Sequence, residues 1–346
     1  MSSVSGEQPA ATMADVARAV GVSTGTVSRA LRGLPGVSEA MRRRILRAAE
    51  ALDYVVSPGA SGLATGRTGS VAVLVPHISR WFHARALAGA HHVLRNAGFE
   101  VVLYHVEGIA ERREFFETLP VRRRADGLVV IALSLSEKEI ERLGGLGMPV
   151  VGASTDLGGH PSVGIDDPAG AAMAVRHLAN LGHQRIGMIR ATDEEGIHRG
   201  VSQRRLDGYL AAMAECGLPV QQDSIVSAPW GIDGGAQAMA QLLSLRTPPT
   251  AVFAEADDIA AGALRTLRRA GVDVPGRMSL IGFDDSPIAD LLDLTTVAQS
   301  VYEQGLIAGR MLVDAVEQGA TAEPRQRLDT RLVLRGTTSA VRRSAL

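Results

Sequence analysis

Residues 12–33 read TMADVARAVGVSTGTVSRALRG. Thr12 and Asp15 have capping-box spacing, a hydroxyl and a carboxylate placed to satisfy the open N–H groups of a first helical turn. Met13, Val16, Ala17 and Val20 recur at i, i+3, i+4 and i+7, so one face of that helix is apolar. Gly21 supplies the left-handed residue that ends a helix without a Cβ clash. Ser23 then caps a second helix, which turns Val27 and Leu31 inward and leaves Thr24, Gly25, Thr26, Ser28 and Arg29 outward. Two short helices joined by a glycine turn, the second presenting hydroxyls and an arginine, predict a helix-turn-helix that reads DNA.

The pattern continues into a third helix. Gly33-Leu34-Pro35-Gly36 is a turn, Ser38 is a cap, and Met41, Ile45, Ala48, Ala49 and Leu52 form an apolar line that would cover the first two helices. Arg42, Arg43, Arg44 and Arg47 fall on its other faces as a solvated basic surface, of which one or two side chains need touch phosphate. The expected head spans residues 12–56, after a small, polar, disordered lead-in at 1–11. Charge is unevenly divided. Through Thr68, eight arginines face five acids, so a net of +3 in this segment leaves −4 for the rest of a chain whose total is −1. A basic head on a mildly acidic body suits contact with phosphates at one end only.

Residues 57–70, SPGASGLATGRTGS, are a linker by composition. Beyond it, short apolar runs alternate with amphipathic stretches. Strands are expected at 71–76, 100–104, 127–133, 149–153, 185–190, 224–228, 251–254 and 279–283. Helices are expected up to 96, at 110–119, 136–146, 169–181, 203–216, 234–245 and 258–270. A last helix at 302–317 and a last strand at 328–334 close the chain. This alternation implies βαβ units in two parallel sheets of five or six strands. The 346 residues, 46 % hydrophobic and 3 % aromatic, suffice for several aliphatic cores.

Cys216 is the single cysteine, which excludes an intrachain disulfide and a cysteine-based metal cluster. No signal sequence or membrane-length apolar run is evident, so the expected location is cytoplasmic, on the nucleoid when bound to DNA, with no membrane partner. Phosphate-loop and nucleophile-elbow motifs are lacking. The acid pairs Asp166-Asp167, Asp257-Asp258 and Asp284-Asp285 fall where strands end and helices begin, so helix capping accounts for at least one of each pair; no metal, cofactor or catalytic residue is expected. Two other readings remain from the residues alone: a solute-binding protein of a transporter, and an α/β enzyme of sugar or nucleotide metabolism.

The ordered blocks DVARAVGVSTGTVSRAL, TGRTGSVAVLVP, RRADGLVV, VGIDDPAGAAMAVRHLANLGHQRIGMI, RRLDGYLAAM, PPTAVFAEADDIAAGALRTLRRAGVDVPGRMSLIGFDD and LTTVAQS resemble the LacI/GalR family of bacterial transcription regulators from about Thr12 to Thr337. The resemblance implies a helix-turn-helix head on a core similar to periplasmic binding proteins, with two doubly wound parallel-sheet subdomains closing over a small molecule. It implies a first subdomain at about 71–168 plus 298–325 and a second at about 169–297 plus 326–340. A homodimer is expected to grip near-palindromic operator DNA, as a repressor whose operator affinity a small-molecule effector, a sugar or sugar derivative, controls. The C-terminus lacks the leucine heptads of a tetramer seam.

By the family motif, Thr24, Gly25 and Arg29 are base-reading positions, with Thr12, Ser23, Thr26, Ser28 and Arg32 also at the DNA. Ser57–Leu63 is the hinge position, where Ala60 and Leu63 would meet the minor groove and Leu63 would wedge a base step. Gly59, Gly62 and Ser61 depart from the family and make a poor helix former, so this hinge is expected to order only on DNA. In the core, Phe82, His83, Arg199, Arg205, Trp230 and Asp284 are the effector candidates: an aromatic face with a carboxylate and an arginine suits a ring bearing hydroxyls. Ala256 and Ser154 stand where family sugar binders place Asn and Asp, which removes two partners for hydroxyls.

Overall fold

A computed structural model describes residues 11–31, 33–54, 67–192, 199–319 and 325–341. The lead-in up to residue 10, Arg32, and the hinge positions Ala60 and Leu63 lie outside the described residues. The chain forms two compact units, Met1–Gly69 and Ser70–Leu346.

In the first unit, α1 (Met13–Val20), α2 (Thr24–Leu31) and α3 (Glu39–Ala51) follow the sequence pattern closely. The capping box forms: Thr12 N donates to Asp15 Oδ2 at 2.9 Å and Asp15 N donates to Thr12 Oγ1 at 3.4 Å. Gly21 takes φ 77° to end α1. Ser23 Oγ accepts from Thr26 N at 3.2 Å to start α2. Val16, Ala17, Val20, Val27, Ala30, Ile45 and Ala49 are buried together. Each fully buried Val or Ile contributes roughly 1.5–3 kcal/mol, which sets a small core against the ordering entropy of three helices. One expected core residue departs. Leu52 is exposed, because α3 ends one residue earlier and Leu52 serves as its C-cap, while Tyr54 packs against the cluster instead. Arg42 is also more than a solvated cation: its Nη2 donates to Leu34 O at 2.9 Å and ties α3 to the preceding turn.

The second unit contains two six-stranded sheets. The first runs in the order β11-β5-β4-β3-β1-β2, with β1 Ser70–Val75, β2 Glu100–His105, β3 Leu128–Ile131, β4 Val150–Ala153, β5 Ser162–Ile165 and β11 Arg325–Leu328, paired in parallel. The second runs β12-β10-β9-β8-β6-β7, with β6 Ile186–Ala191, β7 Ile225–Ala228, β8 Ala251–Ala254, β9 Ser279–Asp284, β10 Thr296–Ala298 and β12 Arg331–Val333. Only β12, antiparallel to β10, breaks its parallel run. Fully buried runs such as SVAVLV in β1 and SLIGFD in β9 are what a sheet covered on both faces requires.

The helices that matter for the site are α4 (Trp81–Asn96) after β1, α7 (Asp167–Asn180) after β5, α8 (Arg199–Glu215) after β6, α10 (Asp257–Arg269) after β8 and α12 (Val301–Gln318) after β10. Between them in chain order lie α5 (Ile109–Thr118), α6 (Glu137–Gly144), α9 (Ile232–Ser244) and α11 (Pro287–Leu291). α12 lies close on α4 because Gly89 and Gly305 face one another's helix. A Cβ on Gly305 would overlap Ala86 O, and one on Gly89 would overlap Tyr302 O.

Sequence periodicity located most of these elements but not β5, α11 or β10. SVGI is diluted by Ser and Gly, and TVA is three residues long. The single strand expected at 328–334 is two, because Asp329 and Thr330 carry the chain from β11 in one sheet to β12 in the other. The chain therefore passes from the first sheet to the second after Leu328. α8 begins at Arg199 rather than 203, so Arg199 opens the helix and Arg205 sits in its second turn. Among the described residues no helix is long and apolar enough to cross a membrane.

Candidate functional site

Both sheets have the order in which the strand sequence reverses beside the first strand, and crevices form outside the carboxyl ends at such points. A cleft lies there, between the two layers, lined from one side by Phe82, His83, Ala132 and Ser154 and from the other by Arg205, Trp230 and Asp284. Of the six core candidates, Phe82, His83, Arg205, Trp230 and Asp284 all line it. The Arg199 side chain lies outside what is described, and Arg204, one turn further along α8, lines the cleft.

Arg205 is 4 % exposed and sits at the centre of a charge cluster. Its Nε donates to Asp167 Oδ1 at 3.0 Å, its Nη1 donates to Glu255 O, and its Nη2 lies 3.8 Å from Asp284 Oδ1. The guanidinium also stacks on Phe283, 3.8 Å from the ring centroid. Burial opposes its charge, but the carboxylates of Asp167, Asp284 and Glu255 outweigh that and hold it protonated. The sequence cast Arg205 as an effector contact at the ligand's edge. Its Nε and Nη1 are instead committed to protein, so it also organises the acids around it.

Burial pushes the Asp284 carboxyl up, against Arg205, and its neighbour Asp257 pushes it further. Asp257 is raised by the same cause, although Thr296 Oγ1 and Ser286 N each donate to it at 2.7 Å. Asp257 is the first residue of α10, and Ala256 precedes it as N-cap, so the expected capping role does not apply. It is a buried acceptor that ties α10 to the β9–β10 region. Asp285 likewise caps nothing and pairs with Arg335 at 2.8 Å. Asp166 does cap its helix, accepting from Ala169 N at 3.0 Å. Among the described residues, no group of three or more His, Cys, Asp or Glu is arranged to hold a metal ion.

The aromatic side of the cleft is continuous. Phe82 meets His83 edge-on with centroids 5.8 Å apart, and His77 meets His83 at 5.4 Å. Arg80, at the N-cap of α4, reaches the other layer, with its guanidinium carbon 5.6 Å from the Trp230 ring centroid. Burial raises Asp258, also in the cleft, and Arg80 pulls it back. Three non-glycine residues at strand ends here hold positive φ: Ala132 at 45°, Ser154 at 57° and Asp284 at 117°. Such backbone costs of order 1–3 kcal/mol each and gathers where side chains must be aimed.

Sequence reasoning missed the polar floor of the cleft. Ser154 Oγ donates to Gln304 Oε1 at 2.5 Å, Gln304 Nε2 to Gln299 Oε1 at 3.1 Å, and Gln299 Nε2 to Asp284 Oδ1 at 2.7 Å. A usable signal existed: a glutamine at 304 among Val301, Gly305 and Ala308 interrupts the buried stripe of α12.

In the head, Ser23, Thr24, Gly25 and Arg29 are exposed, and Thr26 and Ser28 are half-buried. The Thr12 hydroxyl is already committed to Asp15 Oδ2 at 2.6 Å, and Ser23 Oγ and Thr26 Oγ1 bond each other at 2.9 Å. Arg29, in the last turn of α2, is the exposed long donor of that helix.

Comparisons with known proteins bear on both units. Residues 12–57 match the model for bacterial regulatory proteins of the lacI family, and residues 175–338 match a periplasmic binding protein-like domain. The HTH-type transcriptional repressor CytR of Escherichia coli (strain K12) is 34 % identical over 343 residues, 97 % of this chain and 98 % of that protein. Among solved structures, the transcriptional regulator CelR–cellobiose complex aligns with a TM-score of 0.69 at 29 % identity, covering 94 % of this chain and 99 % of that one. The lac repressor dimer bound to operator and the anti-inducer ONPF aligns with a TM-score of 0.84 at 24 % identity, covering 95 % and 99 %, a likeness of fold.

Proposed function

The chain belongs to the LacI family of bacterial transcriptional regulators, and from that premise we propose that it is a homodimeric repressor whose grip on near-palindromic operator DNA is set by a small-molecule effector, a sugar or sugar derivative, bound between the two core layers. It acts by binding, in the cytoplasm, and not by catalysis. The observation that carries the effector reading is the cleft itself. It combines aromatic faces from Phe82 and Trp230 with Asp284 and Arg205 at the carboxyl ends of two parallel sheets. A ring stacks on the aromatics while its hydroxyls bond the polar residues. The relative with cellobiose bound supports a carbohydrate-like ligand. Ser154 and Ala256, with fewer acceptors than Asp and Asn, favour one smaller or less hydroxylated than a typical sugar.

In the head, Arg29 reads guanine through a fork to O6 and N7, Thr24 stands at a base-reading position beside it, Gly25 adds no side chain, and Ser23 lies nearer phosphate. Ala60 and Leu63 act at the hinge, with Leu63 as wedge. Arg32, Ser28, Thr26 and Thr12 hold phosphate or position the helix. The effector acts only through its preference for one arrangement of the layers over another.

Thermal-shift screening of the full chain against neutral sugars, nucleosides and small acids tests the effector reading. A ligand at 100 times its Kd stabilises by about 2.7 kcal/mol. A binder is expected among the neutral ring compounds. Stabilisation by carboxylic acids alone would contradict the proposal.

A further inference from the structure

We propose that Gln304 is a positioning residue. With Ser154 and Gln299 it forms a single directed hydrogen-bond relay that spans the two core layers and holds the Asp284 carboxylate in register. The relay rests on the effector reading of the cleft only for its consequence, the presentation of Asp284 to a ligand.

The geometry gives it a beginning, a direction and an end. Ser154 follows β4 in the first layer, Gln304 lies on α12 over that layer, Gln299 occupies the crossing between layers, and Asp284 ends β9 in the second. The donations run one way, from the Ser154 hydroxyl through Gln304 and Gln299 to Asp284 Oδ1. Gln304 is fully buried and Gln299 is 8 % exposed, so a hydrogen bond lost by either amide is poorly replaced by solvent. Both ends are residues with positive φ, 57° and 117°, whose backbones need outside support. Because the last donation falls on Oδ1, any proton Asp284 binds is left to Oδ2. The charged and titratable groups facing Asp284 are Arg205 of α8, with Asp167 of α7 on that arginine's far side, and Asp257 and Asp258 of α10. Gln299 is the neutral donor among them.

A relay differs from three unrelated contacts in one way: cutting it anywhere releases the whole. Ser154 and Gln299 are joined only through Gln304, so their removal should not add. The experiment is thermal unfolding of the full chain without ligand, near pH 6 and pH 8.5, for wild type, S154A, Q299L, the S154A/Q299L double variant and Q304L. Ser154→Ala is used rather than Ser154→Gly because glycine would also relieve the positive φ. Each single variant is expected to lower Tm by about 2–4 °C, and the double by no more than the larger single.

Q304L frees the Gln299 amide from its orientation on Asp284, so its Tm should fall more steeply from pH 6 to pH 8.5 than the wild type's. Additive shifts with parallel pH curves would overturn the relay. If Q304L does not fold, the S154A/Q299L cycle decides alone, since Ser154→Ala removes one oxygen. A separate arm adds the neutral sugars and nucleosides of the thermal-shift screen to wild type. Stabilisation by none of them would count against the effector reading and leave the ligand-free result on the relay intact.

Discussion

Replacing Arg205 by alanine should be the most damaging single change to the core that leaves its strands untouched. The side chain is buried against Asp167, Asp284 and the Glu255 carbonyl, and it stacks on Phe283. Removing one partner of a buried pair leaves an uncompensated charge and costs about 3–5 kcal/mol. At about 2–4 °C per kcal/mol for a unit of this size, Tm should fall by about 6–20 °C. The loss should also depend on pH. Asp284 has a folded pKa raised above its unfolded value, so its contribution is present at low pH and fades as pH rises through the folded value. Arg205 opposes that rise, and without it the carboxyl is pushed higher still. The R205A deficit should therefore be smaller near pH 6 than near pH 8.5. Calorimetric or fluorescence melts at the two pH values read both effects. R205K, which keeps the charge but loses the planar fork, should fall between R205A and wild type. A Tm loss under about 3 °C for R205A, or an equal loss at both pH values, would refute the charge-cluster account.

Three further outcomes follow from other parts of the molecule. Arg29→Ala should relax preference at one base pair per half-site by about 1–3 kcal/mol in a binding selection, and an unchanged base profile would remove Arg29 from the reading surface. His183 bridges Thr250 Oγ1 at 3.0 Å and Ser279 Oγ at 2.9 Å, and burial lowers its pKa. Its stabilisation is thus present above its unfolded pKa and lost as pH falls. Tm should drop from pH 7 to pH 5, and His183→Gln should flatten part of that drop; an identical acid limb in the variant would exclude His183 as a source. Gly305→Ala places a methyl group against Ala86 O in α4 and should cost about 1–3 kcal/mol or more by chemical denaturation, whereas a neutral result would mean that α4 and α12 can separate freely.

Much of this molecule could be read in its residues because local chemistry and tertiary structure agree. The Thr12–Asp15 box, the Gly21 turn and the Ser38 cap all form where spacing put them. Trp230 and Asp284 reach the cleft because strand ends in doubly wound sheets converge there. What escaped is of two kinds. β5 and β10 owe their existence to pairing with neighbours already in the sheet, and a four-residue SVGI or three-residue TVA has little propensity of its own. The relay escaped because Ser154 and Gln304 are 150 positions apart and meet only once α12 lies over the first sheet. Leu52 shows the opposite error: helical spacing continued past the point where α3 ends.

The central claim is that occupancy of the core cleft changes the affinity of the head for its operator. It is tested most directly by fluorescence anisotropy of the full chain on an operator duplex selected from genomic fragments. The titration is repeated with a saturating cleft ligand found by thermal shift. The account predicts a change in operator Kd of about 5–150-fold in wild type, and little change in Trp230→Ala, which removes an aromatic face of the cleft. A ligand that stabilises the core yet leaves operator affinity the same would contradict it.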